Sequence, residues 1–345
     1  MSYLDYCINS SLTVREAMKI IDKISPQIVF IVEEKNIIAS LTDGDIRRFL
    51  LNGGLLTELA VKAGKKAPLC AKTKSEAISL YDQRDYVAIP ILNANGELTD
   101  IYIGGRKYYD RFDELNIPVV INAGGRGTRL EPYTKILPKP LIPVGEMPII
   151  EHIMQNFTGY GCEKFSVIVN YKKELIKAYF ADCEKNYDII WYDEIRPLGT
   201  GGGLCYLKNK INSTFFFTNC DSLLISNYRN ILRFHQENEN IITMICAYKN
   251  LTIPYGVIEM GVNGSVESFR EKPELTFLTN TGIYIVEPEV LDNIQDNEPI
   301  GFPEIIENEQ KKGKKVAIYP VSENEWLDMG QVPELEKMRK RLYGN

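Results

Sequence analysis

The feature that most constrains this chain is an apolar strand that opens directly into a glycine-rich turn. Val119-Val120-Ile121 has the side chains of a buried strand, and Asn122-Ala123-Gly124-Gly125-Arg126-Gly127-Thr128-Arg129-Leu130 follows without a spacer. Glycines let the backbone double back and bring bare N–H groups close to an anion. Further strand-sized runs, Phe165 to Val169, Ile189 to Tyr192 and Thr214 to Thr218, alternate with helical stretches. Such alternation predicts an α/β domain on a mostly parallel, Rossmann-like sheet, with ligands at the carboxyl ends of the strands. The turn matches neither of two common phosphate loops. Leu130 stands where G-x-G-x-x-G needs its third glycine, and GxxxxGK[ST] is absent.

The first hundred residues have a different organisation, a degenerate repeat. Thr13-Val14-Arg15-Glu16-Ala17 answers Thr73-Lys74-Ser75-Glu76-Ala77. Each copy predicts a short amphipathic helix, with Val14, Ala17, Met18 and Ile21 on one face and Thr13 and Thr73 next to the N-caps. A β-rich run follows in each, Ile28 to Val32 and Val87 to Ile91, then a turn at Glu34-Lys35-Asn36 or Asn93-Ala94-Asn95-Gly96, then a second strand. Two such βαβ-like units predict a small α+β domain packed about a pseudo-twofold axis. The first copy ends Thr42-Asp43-Gly44-Asp45, which can also be read as a cap that starts a helix at Ile46. Residues 104–117 are polar and charged, and the boundary is expected near Asn116, giving domains 1–115 and 118–345.

Composition excludes several classes. A net charge of −6 argues against a sequence-independent nucleic-acid binder, which needs a basic face. Met1-Ser2-Tyr3-Leu4-Asp5 lacks the basic and apolar regions of a signal peptide, and no apolar run reaches the roughly 20 residues that span a bilayer. Seven scattered cysteines without a C-x-x-C pair read as reduced thiols of a cytoplasmic protein, and two histidines make a His-rich zinc site improbable.

The helix–strand–turn–strand repeat closing in T-D-G-D-x-R-R at Thr42 to Arg48 resembles a CBS pair. The resemblance implies an adenine nucleotide as regulator, with Thr42 and Asp43 on its phosphate and ribose, and self-association into a homo-oligomer. The second copy reads Leu98-Thr99-Asp100-Ile101 and lacks the DGD, which puts its site in doubt.

The glycine turn continues into Pro132, Thr134 and Pro138-Lys139-Pro140-Leu141-x-Pro143-Val144, and this long spacing resembles the signature of sugar-1-phosphate nucleotidyltransferases. Further matches follow in order: Pro197-Leu198-Gly199-Thr200-Gly201-Gly202 with Glu194 just upstream, Asp221 closing Phe216 to Cys220, Tyr255-Gly256-Val257, Glu271-Lys272-Pro273, Asn280-Thr281-Gly282-Ile283-Tyr284 and Trp326-Leu327-Asp328-Met329-Gly330. The resemblance covers residues 118–332. It implies that Ala123, Gly124, Gly125, Gly127, Thr128 and Gly199 hold a nucleoside triphosphate, with Arg129 and Lys139 on its phosphates. Gly256, Glu271 and Asn280 would hold the sugar, Lys272 its phosphate, and Asp221 and Asp328 a Mg²⁺ ion. Taken singly, Asp221 could be a strand-end turn residue, Glu271-Lys272 a solvated pair and Asp328 a helix cap.

A CBS pair in front of such a domain is similar to the glucosamine-1-phosphate guanylyltransferases of legionaminic acid biosynthesis. That implies GTP and glucosamine 1-phosphate as substrates. Heptose 1-phosphate with GTP, or glucose 1-phosphate with UTP, dTTP or CTP, are the nearest alternatives. A catalytically silent nucleotide sensor is the rival from another class, and the joint presence of Arg129, Asp221, Lys272 and Asp328 argues against it. Neither nucleic acid nor membrane is expected as a partner.

Overall fold

The apolar runs after Pro118 fold as neighbouring strands of one sheet. The computed structural model describes residues 2–24, 26–83, 86–103 and 114–343. The backbone divides into two units, Met1–Asp113 and Glu114–Asn345. Most of the polar stretch expected to join two domains, residues 104–113, lies outside the described residues.

In the first unit, β1 (Cys7–Asn9), α1 (Val14–Ile21), β2 (Ile28–Glu33), β3 (Asn36–Thr42), α2 (Asp43–Leu51) and β4 (Lys65–Lys66) form a sheet in the order β1-β2-β3-β4 with its helices. The second copy supplies α3 (Lys74–Gln83) and the antiparallel pair β5 (Ala88–Leu92) and β6 (Leu98–Ile103). Both copies are βαβ-like. β1 runs parallel to β2 around α1, and Ala71 makes a parallel bridge to Ile91 around α3.

The Thr-x-x-Glu of the repeat has a local cause. Thr13 is itself the N-cap of α1, its hydroxyl accepting the Glu16 N–H while Glu16 accepts the Thr13 N–H. Thr73 accepts the Glu76 N–H in the same way. Val14, Ala17 and Ile21 are buried against Val29, Phe30 and Leu41, as the helical spacing predicts. One boundary differs from expectation. The helix expected from Ile46 begins at Asp43, because Thr42 and Asp45 form a capping box that recruits one more turn.

The second unit begins with β7 (Val119–Asn122), α4 (Tyr133–Ile136), the short hairpin of β8 (Pro143–Val144) and β9 (Met147–Pro148), α5 (Ile149–Thr158) and β10 (Lys164–Val169). It continues through α6 (Lys173–Asp182), β11 (Asp188–Asp193), β12 (Phe215–Asn219), β13 (Ser222–Leu224), α7 (Tyr228–Glu237) and β14 (Ile242–Thr252). It ends with β15 (Val257–Met260), β16 (Val266–Arg270), β17 (Glu274–Val286), α8 (Glu289–Asp292), α9 (Phe302–Lys311), β18 (Val316–Val321), β19 (Trp326–Asp328) and α10 (Val332–Tyr343).

Seven of these strands form one sheet in the order β11-β10-β7-β12-β17-β14-β18. β17 runs antiparallel to both neighbours and the other pairs are parallel, so the sheet is mixed but mostly parallel. Side chains alternate across it. Val119, Ile121 and Phe216 enter one core with α5, while Val120 and Phe217 enter the other with Phe302 of α9. Each fully buried phenylalanine contributes roughly 1.5–3 kcal/mol. Burial on both faces explains why these strands read as continuous apolar runs. Because β7, β10 and β12 are parallel, their carboxyl ends share one edge of the sheet. Among the described residues no helix is long and apolar enough to cross a membrane.

Candidate active site

The glycine turn leaves β7 at this edge. Ala123 N–H still bonds the Ile168 carbonyl of β10 at 2.8 Å, and the Asn122 side chain then bridges two segments. Its oxygen accepts the Gly124 N–H at 3.4 Å and its amide donates to the Thr200 carbonyl at 3.3 Å. The glycines answer to close neighbours. A Cβ on Gly124 would lie 2.7 Å from the Glu194 carboxylate. One on Gly127, where φ is +66°, would lie 2.9 Å from Thr134 and 3.0 Å from the Lys139 stem. Gly125 faces open space, which leaves its side of the turn free for a ligand. Thr128 and Arg129 are exposed in the 3₁₀ turn that follows.

Lys139 opens a second 3₁₀ turn between Pro138 and Pro140. Its stem packs under the glycine turn, and its ammonium pairs with the Asp221 carboxylate, each side chain only 12% exposed. Asp221 follows the end of β12, and its carbonyl accepts the Met329 N–H at 2.9 Å. The neighbouring β13 pairs with β19 so that Ser222 lies opposite Asp328. The two aspartates expected to share a cation are thereby brought together from distant parts of the chain. Burial raises the Asp328 carboxyl above its ordinary range, and the charge of Asp221 raises it further. Lys139, the Gly330 N–H and Arg129 act in the opposite direction. A buried carboxylate pair of this kind suits a hard divalent cation, which would offset their repulsion.

Of the residues expected to hold a sugar, Gly256, Glu271 and Lys272 lie on a separate excursion of the same unit, while Asn280 lies beside Gly282, which packs on Asn219 at this edge. Residues 253–273 form an excursion between β14 and β17, with β15 and β16 as its hairpin. Glu271 lies over Gly256, where a Cβ would come 3.1 Å from its carboxylate. Lys272 is exposed, has φ +45° and makes no hydrogen bond or ion pair among the described residues. Asn280 bonds Tyr284 Oη at 2.6 Å and the Gly282 N–H at 3.0 Å. Among the described residues no hydrogen bond or ion pair joins Glu271 or Lys272 to the Lys139–Asp221–Asp328 cluster. Gly199, at φ +80°, packs against the Ile300 carbonyl, 2.7 Å from the place of a Cβ.

Two polar groups at this edge were not singled out from sequence. Asn122 and Asn219 end β7 and β12 as direct partners, and the Asn219 amide lies 2.5 Å from where a Gly282 Cβ would be. An asparagine closing each of two apolar strands was the available signal. Glu194 has a stronger environment than its position upstream of the P-L-G-T segment suggested. It is 5% exposed, and its Oε1 has no hydrogen-bond partner among the described residues. Burial pushes its carboxyl up to about 7, against the pull of the Leu198 N–H.

In the first unit, Thr42 and Asp43 are engaged within α2. The Thr42 hydroxyl donates to Asp45 at 2.6 Å, and Asp43 pairs with Arg47. The two histidines also have structural surroundings, His235 bonding Thr243 and Glu287, and His152 the Val144 carbonyl.

Residues 118–343 match the nucleotidyl transferase family. The UTP–glucose-1-phosphate uridylyltransferase of Synechocystis sp. is 30% identical over 240 residues, which are 62% of this chain and 60% of that protein. The mannose-1-phosphate guanyltransferase of Pichia angusta is 33% identical over 226 residues, 61% of this chain and 60% of that protein. The chain thus spans about 60% of the length of these relatives. HddC from Yersinia pseudotuberculosis has the same fold, with a TM-score of 0.53 at 22% identity over 66% of this chain and 99% of that one. The family match leaves out residues 1–117 and accounts for the whole edge just described. From Pro118 onward, the chain belongs to the nucleotidyl transferase family.

Proposed function

We propose that this protein transfers a nucleoside monophosphate from an NTP to a sugar 1-phosphate and releases pyrophosphate, with GTP as the nucleotide and glucosamine 1-phosphate as the sugar. The observation that carries the reading is the convergence of Lys139, Asp221 and Asp328 beside an open glycine turn. A phosphate oxygen of the sugar 1-phosphate attacks the α-phosphorus, and the bond from that phosphorus to the β-phosphate oxygen breaks. The attacking oxygen is already anionic, so no strong base is needed. The protein has to align two anions that repel each other and neutralise the charge that develops.

Asp221 and Asp328 fit Mg²⁺ through their oxygen donors, and a bound ion would neutralise charge at the α-phosphate. Lys139 is set to move from Asp221 to that phosphate. Arg129 and the free N–H groups near Gly125 face the departing β- and γ-phosphates. Lys272, exposed and without a partner among the described residues, anchors the sugar phosphate, while Glu271 accepts from sugar hydroxyls.

Glu194 supports the choice of base. Guanine presents two adjacent donors, its ring N–H and its exocyclic amino group, and a carboxylate can accept both. Uracil and thymine present one N–H flanked by carbonyls, which would repel the second oxygen. The Glu194 Oε2 lies beside Gly124 of the glycine turn, while its Oε1, beside Gly203, has no donor among the described residues. The sugar rests on the pairing of domains alone.

In the same reading residues 1–115 are a CBS pair that regulates a cytoplasmic homo-oligomer through an adenine nucleotide at Thr42 and Asp43. The recurring βαβ-like order of the two copies supports it. Titration calorimetry with ATP, ADP and AMP tests it, and absence of both binding and rate change removes it.

Pyrophosphate release from a matrix of NTPs and sugar 1-phosphates, with Mg²⁺ and then EDTA, tests the main reading. A Mg²⁺-dependent signal for GTP with glucosamine 1-phosphate is expected. A signal for heptose or glucose 1-phosphate would change the sugar and keep the chemistry. Silence from folded protein would leave the sensor.

A further inference from the structure

Sequence reasoning gave α10 no part in the site, yet this helix follows Asp328 closely in the chain and contacts the hairpin that follows Lys139. At its start, only Met329, Gly330 and Gln331 separate it from Asp328. Met329, Leu335 and Met338 are buried in the main core, which fixes the helix against the sheet. From its last turns two side chains reach the hairpin that follows Lys139. Arg339 donates twice to the Pro143 carbonyl, from Nε at 3.3 Å and from Nη2 at 2.8 Å. The Tyr343 ring fills the space beside Gly145, where a Cβ would lie 2.2 Å from ring carbons. Tyr343 Oη is also 3.3 Å from His152 Nε2, which bonds the Val144 carbonyl at 2.8 Å.

The same hairpin is continuous with Lys139. Ile142 is fully buried, its N–H bonds the Lys139 carbonyl at 3.1 Å, and its own carbonyl accepts the Ile149 N–H at 3.1 Å. Lysine is a point charge on a flexible four-carbon stem. While its ammonium rests on Asp221, that pair holds it. Once the ammonium leaves for a phosphate, the packing of its stem under Gly127 and the backbone beneath it limit where it goes. Pro138 and Pro140 stiffen that backbone from one side. Arg339 and Tyr343 tie the hairpin on its other side to α10, the helix that follows Asp328 after three residues.

We propose that Arg339 and Tyr343 are positioning residues, and that α10 is a strap fixing the Lys139 ammonium relative to Asp328 during transfer. The inference rests on the transferase reading above. Its chemical consequence is specific. Loosening the strap leaves the carboxylates, the glycine turn and the sugar excursion in place, so substrates bind as before. What falls is the fraction of complexes in which the ammonium meets the phosphate.

The test compares Arg339→Ala, Arg339→Lys and Tyr343→Leu in the full chain, by steady-state pyrophosphate release and by amide hydrogen exchange. Arg339→Ala is expected to lower kcat about tenfold with KM for the NTP changed less than about threefold. Arg339→Lys is expected to recover part of the loss, since one ammonium N–H can still reach the Pro143 carbonyl. Exchange at the Ile142 and Ile149 amides should speed up in Arg339→Ala and Tyr343→Leu, with β14 unchanged. Unaltered exchange at these amides would overturn the strap. So would a kcat loss that merely follows a lowered melting temperature and is not recovered by lysine. If the wild-type protein releases no pyrophosphate with any pair, the transferase reading fails, and the exchange result alone decides whether α10 holds the Lys139 hairpin.

Discussion

The ammonium of Lys139 rests on the carboxylate of Asp221, 82 residues further along the chain, with both side chains almost buried. Removing one partner of such a pair leaves a charge without compensation in a poorly hydrated place. The pair also lies beside a second carboxylate, Asp328, whose carboxyl is raised by the charge of Asp221 and lowered by that of Lys139.

Asp221→Asn keeps the shape of the side chain and removes its charge. Turnover in the pyrophosphate assay is expected to fall at least about 100-fold, with the far-ultraviolet circular dichroism spectrum unchanged. A variant with near-normal rates at ordinary Mg²⁺ would remove Asp221 from the metal site.

Glu194 links stability to pH. Its carboxyl sits at about 7 in the folded chain against 4.5 ordinarily, so between those values the folded state holds the proton more tightly. The stability this contributes is present below about pH 4.5 and is lost as pH rises through about 7. Glu194→Gln should therefore match the wild type near pH 4 and exceed it at pH 8 by up to about 3 kcal/mol in urea unfolding. Equal differences at both pH values would mean that the carboxyl is hydrated.

The same substitution probes base choice. An amide offers guanine one acceptor and one unwanted donor in place of two acceptors. In the proposed reading, Glu194→Gln lowers kcat/KM for GTP about 10–100-fold and narrows its lead over UTP. KM for GTP in the wild type should fall as pH rises through about 7, where the carboxyl ionises. An unchanged ratio of GTP to UTP would take the base away from Glu194.

Lys272 has no partner to lose among the described residues, so Lys272→Ala should leave the melting temperature alone. KM for the sugar 1-phosphate should rise about 10–100-fold, the worth of a charged hydrogen bond to an anion. An unchanged KM would return the Glu271-Lys272 dipeptide to the solvated pair it can also be.

Thr13→Ala and Thr42→Ala each remove a capping box from the first unit. Each should cost about 1 kcal/mol in denaturant unfolding of that unit. Turnover without effector should stay unchanged. Only Thr42→Ala should also weaken an adenine nucleotide, which separates the structural role of the motif from the regulatory one.

What the sequence determined by itself was local. Apolar runs buried on both faces marked β7, β10 and β12, a half-buried apolar run marked the edge strand β11, and the repeated Thr-x-x-Glu marked the helices it caps, because side-chain periodicity and capping act over a few residues. The glycine turn and Lys139 were legible for the same reason, lying close together in the chain. Tertiary structure alone decided the rest. Nothing near Ser222 in sequence says that it pairs with Asp328, and that register brings the carboxylates together. Long β14 and β17 were hidden because part of each carries exposed residues without an unbroken apolar run. Burial of Glu194 depends on two glycines, Gly124 and Gly203, arriving from separate segments to leave it room. The grip of Arg339 on Pro143 spans 196 positions. Contacts at such range depend on sheet order and register, which many weak burial terms settle jointly and no local pattern encodes.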